Sequence, residues 1–388
     1  MNERIGTYVI QKIPGESYQA YVPPNLPPSP TLDLSRLYPY LEKATLALAG
    51  LNSIHKLVPN TPLFIYMYVR KEALLSSQIE GSQSNFLDLL LFEHHLKSEV
   101  SLEDVEEVSY YVKALEYGLR CLKEDFPLSL NLLKEIHGVL LSGTRGTDKL
   151  PGEFRRSQNW IGGTRLRGAL FVPPPITHLA DCLTDFENFL HDDSIPLLIK
   201  AGLVHVQFET LHPFLDGNGR VGRLLITLLL CEGGMLDAPI LYLSLYLKQN
   251  RSTYYALLQE VRLYGSWETW LEFFLKGIHL SAEQAIKTIE QINALFTQDF
   301  QKIETLGRIR FSCQEILKYM KRLPQVSVSV IAKALHMTPP TARSALNHLT
   351  ALGILEEVTG KARDKVYVYR NYLTILEEGT EPFSREEA

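Results

Sequence analysis

The tightest constraint on this chain is the junction at residues 212–231, where Gly217-Asn218-Gly219-Arg220 leads almost directly into Leu224-Leu-Ile-Thr-Leu-Leu-Leu-Cys231. The apolar run reads as a buried helix, and the glycines ahead of it let successive backbone N–H groups point into one concavity. A glycine turn that opens a helix is an anion site, because the first-turn donors have no helical partners and the dipole favours negative charge. Arg220 and Arg223 are three apart and share a helical face, so both guanidinium groups can be turned toward oxyanions held there. Asp216, immediately before the turn, is placed to hold a divalent cation. His212, followed by Pro213, can meet the same ligand from another side as a neutral imidazole acting as general base. A base, a metal ligand and a phosphate cradle side by side imply phosphoryl or nucleotidyl transfer.

These residues resemble the Fic family signature, His-x-Phe-x-(Asp/Glu)-Gly-Asn-Gly-Arg-x-x-Arg, at every fixed position. The competing glycine fingerprints, Gly-x-x-x-x-Gly-Lys-(Ser/Thr) and a Rossmann turn after a strand, are absent here. Upstream, Ser76-Ser-Gln-Ile-Glu80-Gly81 resembles the inhibitory (Ser/Thr)-x-x-x-Glu-(Gly/Asn) motif of the Fic subclass whose inhibitory helix precedes the core. Ser76 and Glu80 are one turn apart on a helix. Alone, that pattern also fits a solvated Ser/Glu face; with an intact signature downstream in the right order, the inhibitory reading prevails.

The resemblance implies a mainly α fold: a Fic-type helical bundle with a β-hairpin flap, plus a C-terminal winged helix-turn-helix domain. It divides the chain into an N-terminal extended segment and helices with the inhibitory motif (1–100), a catalytic core (101–305) with flap 158–172 and signature 212–223, and a winged helix domain with an acidic tail (306–388). It further implies transfer of AMP from ATP to a Ser, Thr or Tyr hydroxyl of a protein docked on the flap by strand addition. In that scheme His212 takes the hydroxyl proton and Asp216 holds Mg²⁺ (or Mn²⁺). Gly217, Asn218 and Gly219 cradle phosphate, and Arg220 and Arg223 hold the outer phosphates. Glu80 pairs with Arg223 and fills the space that a γ-phosphate needs. Asn250-Arg-Ser-Thr-Tyr-Tyr255 resembles the stretch lining the base and ribose, with Asn250 and Tyr254 as the contacts. Family members of this layout are often homodimers, and in the family the inhibitory glutamate can also orient a water for AMP removal, so both roles stay open for Glu80.

Composition sets the outer limits. At 388 residues, 45% hydrophobic and 21% charged, the chain is long enough for two or three domains. A formal net charge of -5 gives no global attraction to nucleic acid or acidic membranes. The start, Met-Asn-Glu-Arg-Ile-Gly-Thr-Tyr, lacks the apolar core of a signal peptide, and no apolar run reaches a membrane span, so a cytoplasmic protein with no membrane association is expected. Cys121, Cys182, Cys231 and Cys313 are scattered without metal-ligand spacing and read as reduced packing residues.

Along the chain, the prolines at 14, 23, 24, 27, 28 and 30 favour an extended segment over 12–35. Helical periodicity covers 37–97 and 102–145. Glycines then interrupt it around Gln158-Asn-Trp-Ile161 and Ala169-Leu-Phe-Val172, which read as a β-hairpin. Helices resume at Ile176 and run through the signature to about Ile303. From Arg308 the grammar changes to short helices at 311–320, 328–335 and 340–352, then strands at 354–358 and 365–369 around a Thr-Gly-Lys-Ala-Arg-Asp turn. Thr338 caps a helix bearing Thr341, Arg343, Asn347 and His348. Residues 311–370 hold nine Lys/Arg against four acids, a modest basic bias. DNA contact, with Lys361, Arg363 and Lys365 on phosphate, and a winged helix used for dimerisation or docking are equally weighted readings. At the level of the whole chain, the alternative to a self-inhibited transferase is an ATP-sensing DNA-binding regulator.

Overall fold

The computed structural model describes residues 3–13, 16–57, 61–93, 102–143, 149–360 and 364–382. Strands β1 (Thr7–Ile13) and β2 (Glu16–Val22) pair antiparallel, with Thr7 opposite Val22 and Ile13 opposite Glu16. The segment expected to be extended over 12–35 thus includes the end of β1 and all of β2, with a pairing that the sequence alone did not specify. The prolines fall between the strands and from Pro23 onward, so every ladder N–H within β2 is available, and its Tyr and Val residues suit a pleated surface.

Helices α1 (Leu34–Leu57), α2 (Thr61–Ile79) and α3 (Phe86–Glu93) follow, then α4 (Leu102–Lys123) and α5 (Leu130–Leu140). Residues 94–97 of the first expected helical run lie outside the described residues. The second run breaks at Pro127, and α5 restarts on Ser129, whose hydroxyl accepts from Leu132 N–H. Next come α6 (Ile176–Leu190), α7 (Leu197–Leu211), α8 (Asn218–Glu232), α9 (Ser244–Gln249), α10 (Arg251–Tyr264) and the long α11 (Trp267–Glu304). Helix α7 is buried on every face from Leu198 to Leu211, which is why its sequence carries no amphipathic stripe. Helix α8 packs against α7, and α1 lies along α11. The loop 212–217 is therefore suspended between two core helices.

Between α5 and α6 the expected two-stranded hairpin reduces to one antiparallel bridge, Ile161 with Phe171. A 3₁₀ turn at Leu166–Gly168 lies within the connection between the bridged residues. This flap is joined to the N-terminal hairpin by Tyr21 N–H, which donates to Val172 O at 2.9 Å.

The C-terminal unit comprises α12 (Arg310–Met320), β3 (Gln325–Ser327), α13 (Val328–Ala334), α14 (Pro339–Ala351), β4 (Glu356–Glu357) and β5 (Val366–Val368). Its three strands form an antiparallel sheet in the order β3-β5-β4. Thr338 caps α14, its hydroxyl accepting from Thr341 N–H at 3.4 Å. Strand β3 was not anticipated, nor was the helix α15 (Arg370–Glu377) that precedes the acidic tail. Tyr369 donates to Asp299 on α11 and Tyr372 to Lys321 O, so α15 is tied down at its start. Among the described residues, no helix is long and apolar enough to cross a membrane.

Candidate active site

The loop between α7 and α8 is held from several sides. His212 ends α7 in the left-handed region at φ 45°, and Gly217 reaches φ 73° as it caps α8. A side chain at Gly217 would be strained there. The Asn218 amide closes on the peptide of Phe214, accepting from its N–H at 2.8 Å and donating to its carbonyl at 2.9 Å. Asn218 thus braces the loop, while the backbone N–H groups at the start of α8 have no partner within the helix. Phe214 in turn stacks on His137, with ring centroids 3.7 Å apart and nearly parallel. Gly152 N–H donates to His137 Nδ1 at 2.9 Å, which leaves the proton on Nε2 to donate to Asp216 O at 3.1 Å. Burial, which outweighs the other influences on it, holds His137 down to about 4, so the ring is neutral.

The residues just before and within the flap clasp the other side of the loop. Arg155 Nε donates to His212 O at 3.0 Å and its Nη2 to Pro174 O at 2.6 Å. Asn159 Nδ2 donates to Phe214 O at 2.9 Å and to His212 O at 3.2 Å. Arg262 donates to Glu209 O and Thr210 Oγ1 near the end of α7, and its guanidinium lies over the flap residue Phe171 at 4.0 Å. Burial first, then the positive charges of Arg262 and Arg155, push His212 down to about 4. Its imidazole is therefore unprotonated near neutral pH, with a buried Nδ1 that has no hydrogen-bond partner. Such a ring can accept a proton.

The two arginines of α8 have different surroundings. Arg220 pairs with Glu107 on α4 at 2.9 Å and lies 3.6 Å from Asp216. Arg223 is almost completely buried, and its Nε donates to Ser76 Oγ at 2.8 Å while Nη2 donates to Ser76 O at 3.0 Å and to Glu80 Oε1 at 2.7 Å. That carboxylate lies against the start of α8: a Cβ built on Gly219 would meet Glu80 Oε1 at 2.2 Å. Burial raises the Glu80 pKa, but the attraction and hydrogen bond of Arg223 outweigh it and hold the group below its ordinary value. Ser76, Glu80, Gly219 and Arg223 thus meet at one point. His212, Asp216, Gly217, Asn218 and Arg220 belong to the same loop and helix start.

Asn250 sits at the α9–α10 junction, where its Nδ2 donates to Tyr246 O at 2.9 Å. Tyr254, on α10, is placed close enough to Arg223 and Glu80 to feel both charges. Its ring is 1% exposed, and its hydroxyl donates at 2.8 Å to His205 Nε2, a nitrogen left unprotonated because Nδ1–H donates to Gly222 O at 3.0 Å. Through His205, Tyr254 is thus linked to the backbone of α8. The neighbouring Tyr255, 41% exposed, presents its ring outward. Sequence reasoning missed His137, His205, Arg155, Asn159, Arg262 and Glu107. Asn159 and Arg155 stand beside the flap glycines, but nothing in their spacing marks them as loop clamps.

Asp216 fits a weakly caged divalent ion. Its side chain is 46% exposed, and it accepts from Gly217 N–H at 2.6 Å just before the start of α8. Among the described residues no three His, Cys, Asp or Glu side chains converge. One carboxylate beside a phosphate cradle suits Mg²⁺ or Mn²⁺, which keep water and substrate oxygens as ligands.

The buried helix pair, its glycine-opened loop and the histidine beside that loop define a helical fold of the Fic type. The chain belongs to the Fic/DOC family: residues 38–120 match the Fic/DOC family N-terminal model and residues 127–230 the Fic/DOC family model. Protein adenylyltransferase Fic of Drosophila virilis is 32% identical over 162 residues, 41% of this chain and 30% of that protein. The corresponding protein of Drosophila melanogaster is 30% identical over the same length and the same shares. The matched stretch spans under a third of these relatives. A Fic family protein from Desulfovibrio desulfuricans G20 superposes with a TM-score of 0.56 at 19% identity, covering 85% of this chain and 96% of its own. A Fic domain containing signaling protein from Bacteroides thetaiotaomicron gives 0.50 at 19%, covering 65% and 97%. At that identity the likeness concerns the fold.

Proposed function

We propose that this chain is a self-inhibited protein adenylyltransferase that moves AMP from ATP to a Ser, Thr or Tyr hydroxyl of a target protein. The observation that carries the reading is the Glu80 carboxylate, bonded to Arg223 and pressed against Gly219 at the start of α8. A carboxylate in an anion site with a buried arginine behind it is the arrangement expected of a brake on phosphate binding.

With ATP in place, the Gly217–Gly219 backbone and the start of α8 hold phosphate oxygens, and Arg220 and Arg223 neutralise their charge. Neutral His212 accepts the proton of the incoming hydroxyl as its oxygen attacks the α-phosphorus, and pyrophosphate departs. A divalent ion on Asp216 would supply Lewis-acid polarisation of phosphate oxygens. The flap 158–172 aligns an extended target segment by main-chain pairing. Once Glu80 is paired with Arg223 it repels the outer phosphate; the same carboxylate could orient a water for AMP removal. Homodimerisation belongs to the proposal and is read by light scattering.

The ATP-sensing DNA-binding regulator is less well supported. Arg343, Asn347 and His348 are exposed on α14, but Asn347 Oδ1 accepts from Tyr367 and Lys365 lies 3.7 Å from Glu357. Lys361 and Arg363 lie outside the described residues. The test of the enzyme is label incorporation from α-labelled ATP with Mg²⁺ by wild type, Glu80→Gly and Glu80→Gly/His212→Ala, in buffer and in bacterial lysate. Strong label is expected only in the single variant. If Glu80→Gly labels neither itself nor any lysate protein, the reading loses its support.

A further inference from the structure

Two residues before Glu80, the fully buried Gln78 engages both ends of its side-chain amide. Its Nε2 donates to Ser84 O at 2.9 Å and to Thr380 O at 2.7 Å, and its Oε1 accepts from Lys248 Nζ at 2.8 Å. Lys248 Nζ also donates to Gly379 O at 3.4 Å and to Glu381 O. Thr380, 2% exposed, turns back on α15 through its N–H and hydroxyl, which donate to Glu377 O at 2.8 and 2.9 Å. Gly379 stands at φ 76°, and a Cβ there would come within 2.6 Å of Leu245 Cδ1 on α9. The backbone after α15 is therefore folded tightly onto the last turn of α2 and onto α9.

The polarity of the contact is complementary. Burial pushes the Lys71 ammonium of α2 down to about 8, and the carboxylates of Glu378 and Glu381 oppose that loss of charge. Helix ends fray unless their carbonyls and flanking turn are held. The turn bearing Glu80 is held by Glu80 N–H to Ser77 O and Gly81 N–H to Gln78 O, and Gln78 is the residue that the C-terminal segment grips.

We propose that Glu378–Glu381 is a strap that keeps Glu80 on Arg223, so that displacing the segment releases the brake. The proposal rests on the self-inhibited reading above and makes the 310–377 unit, anchored through Tyr369 and Tyr372, the input side of the regulation. The strap holds a helix end, and Glu80 alone touches the phosphate site.

Full-length Gly379→Val and Lys248→Met, each alone and combined with Glu80→Gly, test it against wild type and Glu80→Gly. The readouts are label incorporation from α-labelled ATP and amide exchange of residues 76–84. Losing two or three net hydrogen bonds should raise label by roughly tenfold or more over wild type. Exchange at 76–84 should quicken, and neither strap substitution should add label in the Glu80→Gly background. Should Gly379→Val not fold, the near-isosteric Lys248→Met carries the test. Strong label from Glu80→Gly with wild-type label and exchange in the strap variants overturns the strap. Silence of Glu80→Gly itself is a different failure, that of the enzyme reading, and takes the regulatory proposal with it.

Discussion

Glu80 Oε1 accepts a hydrogen bond from Arg223 Nη2 at 2.7 Å while lying 2.2 Å from where a Cβ of Gly219 would stand. Charge and bulk are therefore both placed on the helix start, and they can be separated. Glu80→Gln keeps the bulk and removes the charge. ATP affinity by calorimetry should rise from wild type through Gln to Gly, with the Gln variant several-fold tighter than wild type. Arg223 keeps its two bonds to Ser76, so the fold should survive both changes. Equal ATP affinities for all three proteins would contradict the brake.

Tyr254→Phe distinguishes a structural tyrosine from a nucleotide contact. The change removes the bond to His205 Nε2 and leaves a buried acceptor unsatisfied, which costs about 1–3 kcal/mol. The expected result is a lower Tm with ATP affinity within about twofold of the parent, measured in the Glu80→Gly background to keep the site open. Affinity lost without a change in Tm would return Tyr254 to the ligand wall.

The parts of this architecture legible in the sequence were those with local causes. The junction from Gly217 into the apolar α8, the cap at Thr338 and the one-turn spacing of Ser76 and Glu80 are short-range patterns, and each has its counterpart in the structure. The rest depends on contacts between distant residues. Arg155 and Asn159 reach carbonyls more than fifty positions away, and Glu107 finds Arg220 only because α4 packs beside α8. The β1–β2 hairpin was obscured by the prolines around it, and α15 by the acidic residues that follow. The bond from Tyr254 to His205 was equally hidden, because it joins residues forty-nine positions apart on different helices.

Asp216→Asn addresses the divalent ion. Asparagine can still accept from Gly217 N–H and hold the loop, but a neutral oxygen is a weaker ligand for a hard cation. In the Glu80→Gly background the Mg²⁺ concentration for half-maximal label incorporation should rise by roughly tenfold or more, with little change in Tm. An unchanged Mg²⁺ requirement would remove Asp216 from the metal role.

The last prediction concerns acid stability, where buried groups of opposite kind oppose one another. Burial, the largest influence on each, holds His137 and His212 to about 4 and His205 to about 3, so in the interval below their ordinary 6.5 the unfolded chain takes up protons that the native state refuses. Stability from these three is complete above 6.5 and is lost as the pH falls. Burial likewise dominates Glu72 and Glu209 but raises both to about 7. Their contribution is complete below the ordinary 4.5 and is lost as the pH rises through 7. Between about 4.5 and 6.5 the unfolded state therefore binds three extra protons on histidine and the native state two on carboxyls. A net of one proton gives a slope near 1.4 kcal/mol per pH unit from these groups. Glu209→Gln removes one native-state proton site and should roughly double that slope. Urea unfolding at pH 5 and pH 6 gives the slope for each protein. Parallel pH dependences for wild type and Glu209→Gln would show that Glu209 is ionised in the native protein, and that the interior beneath α8 holds a charge there.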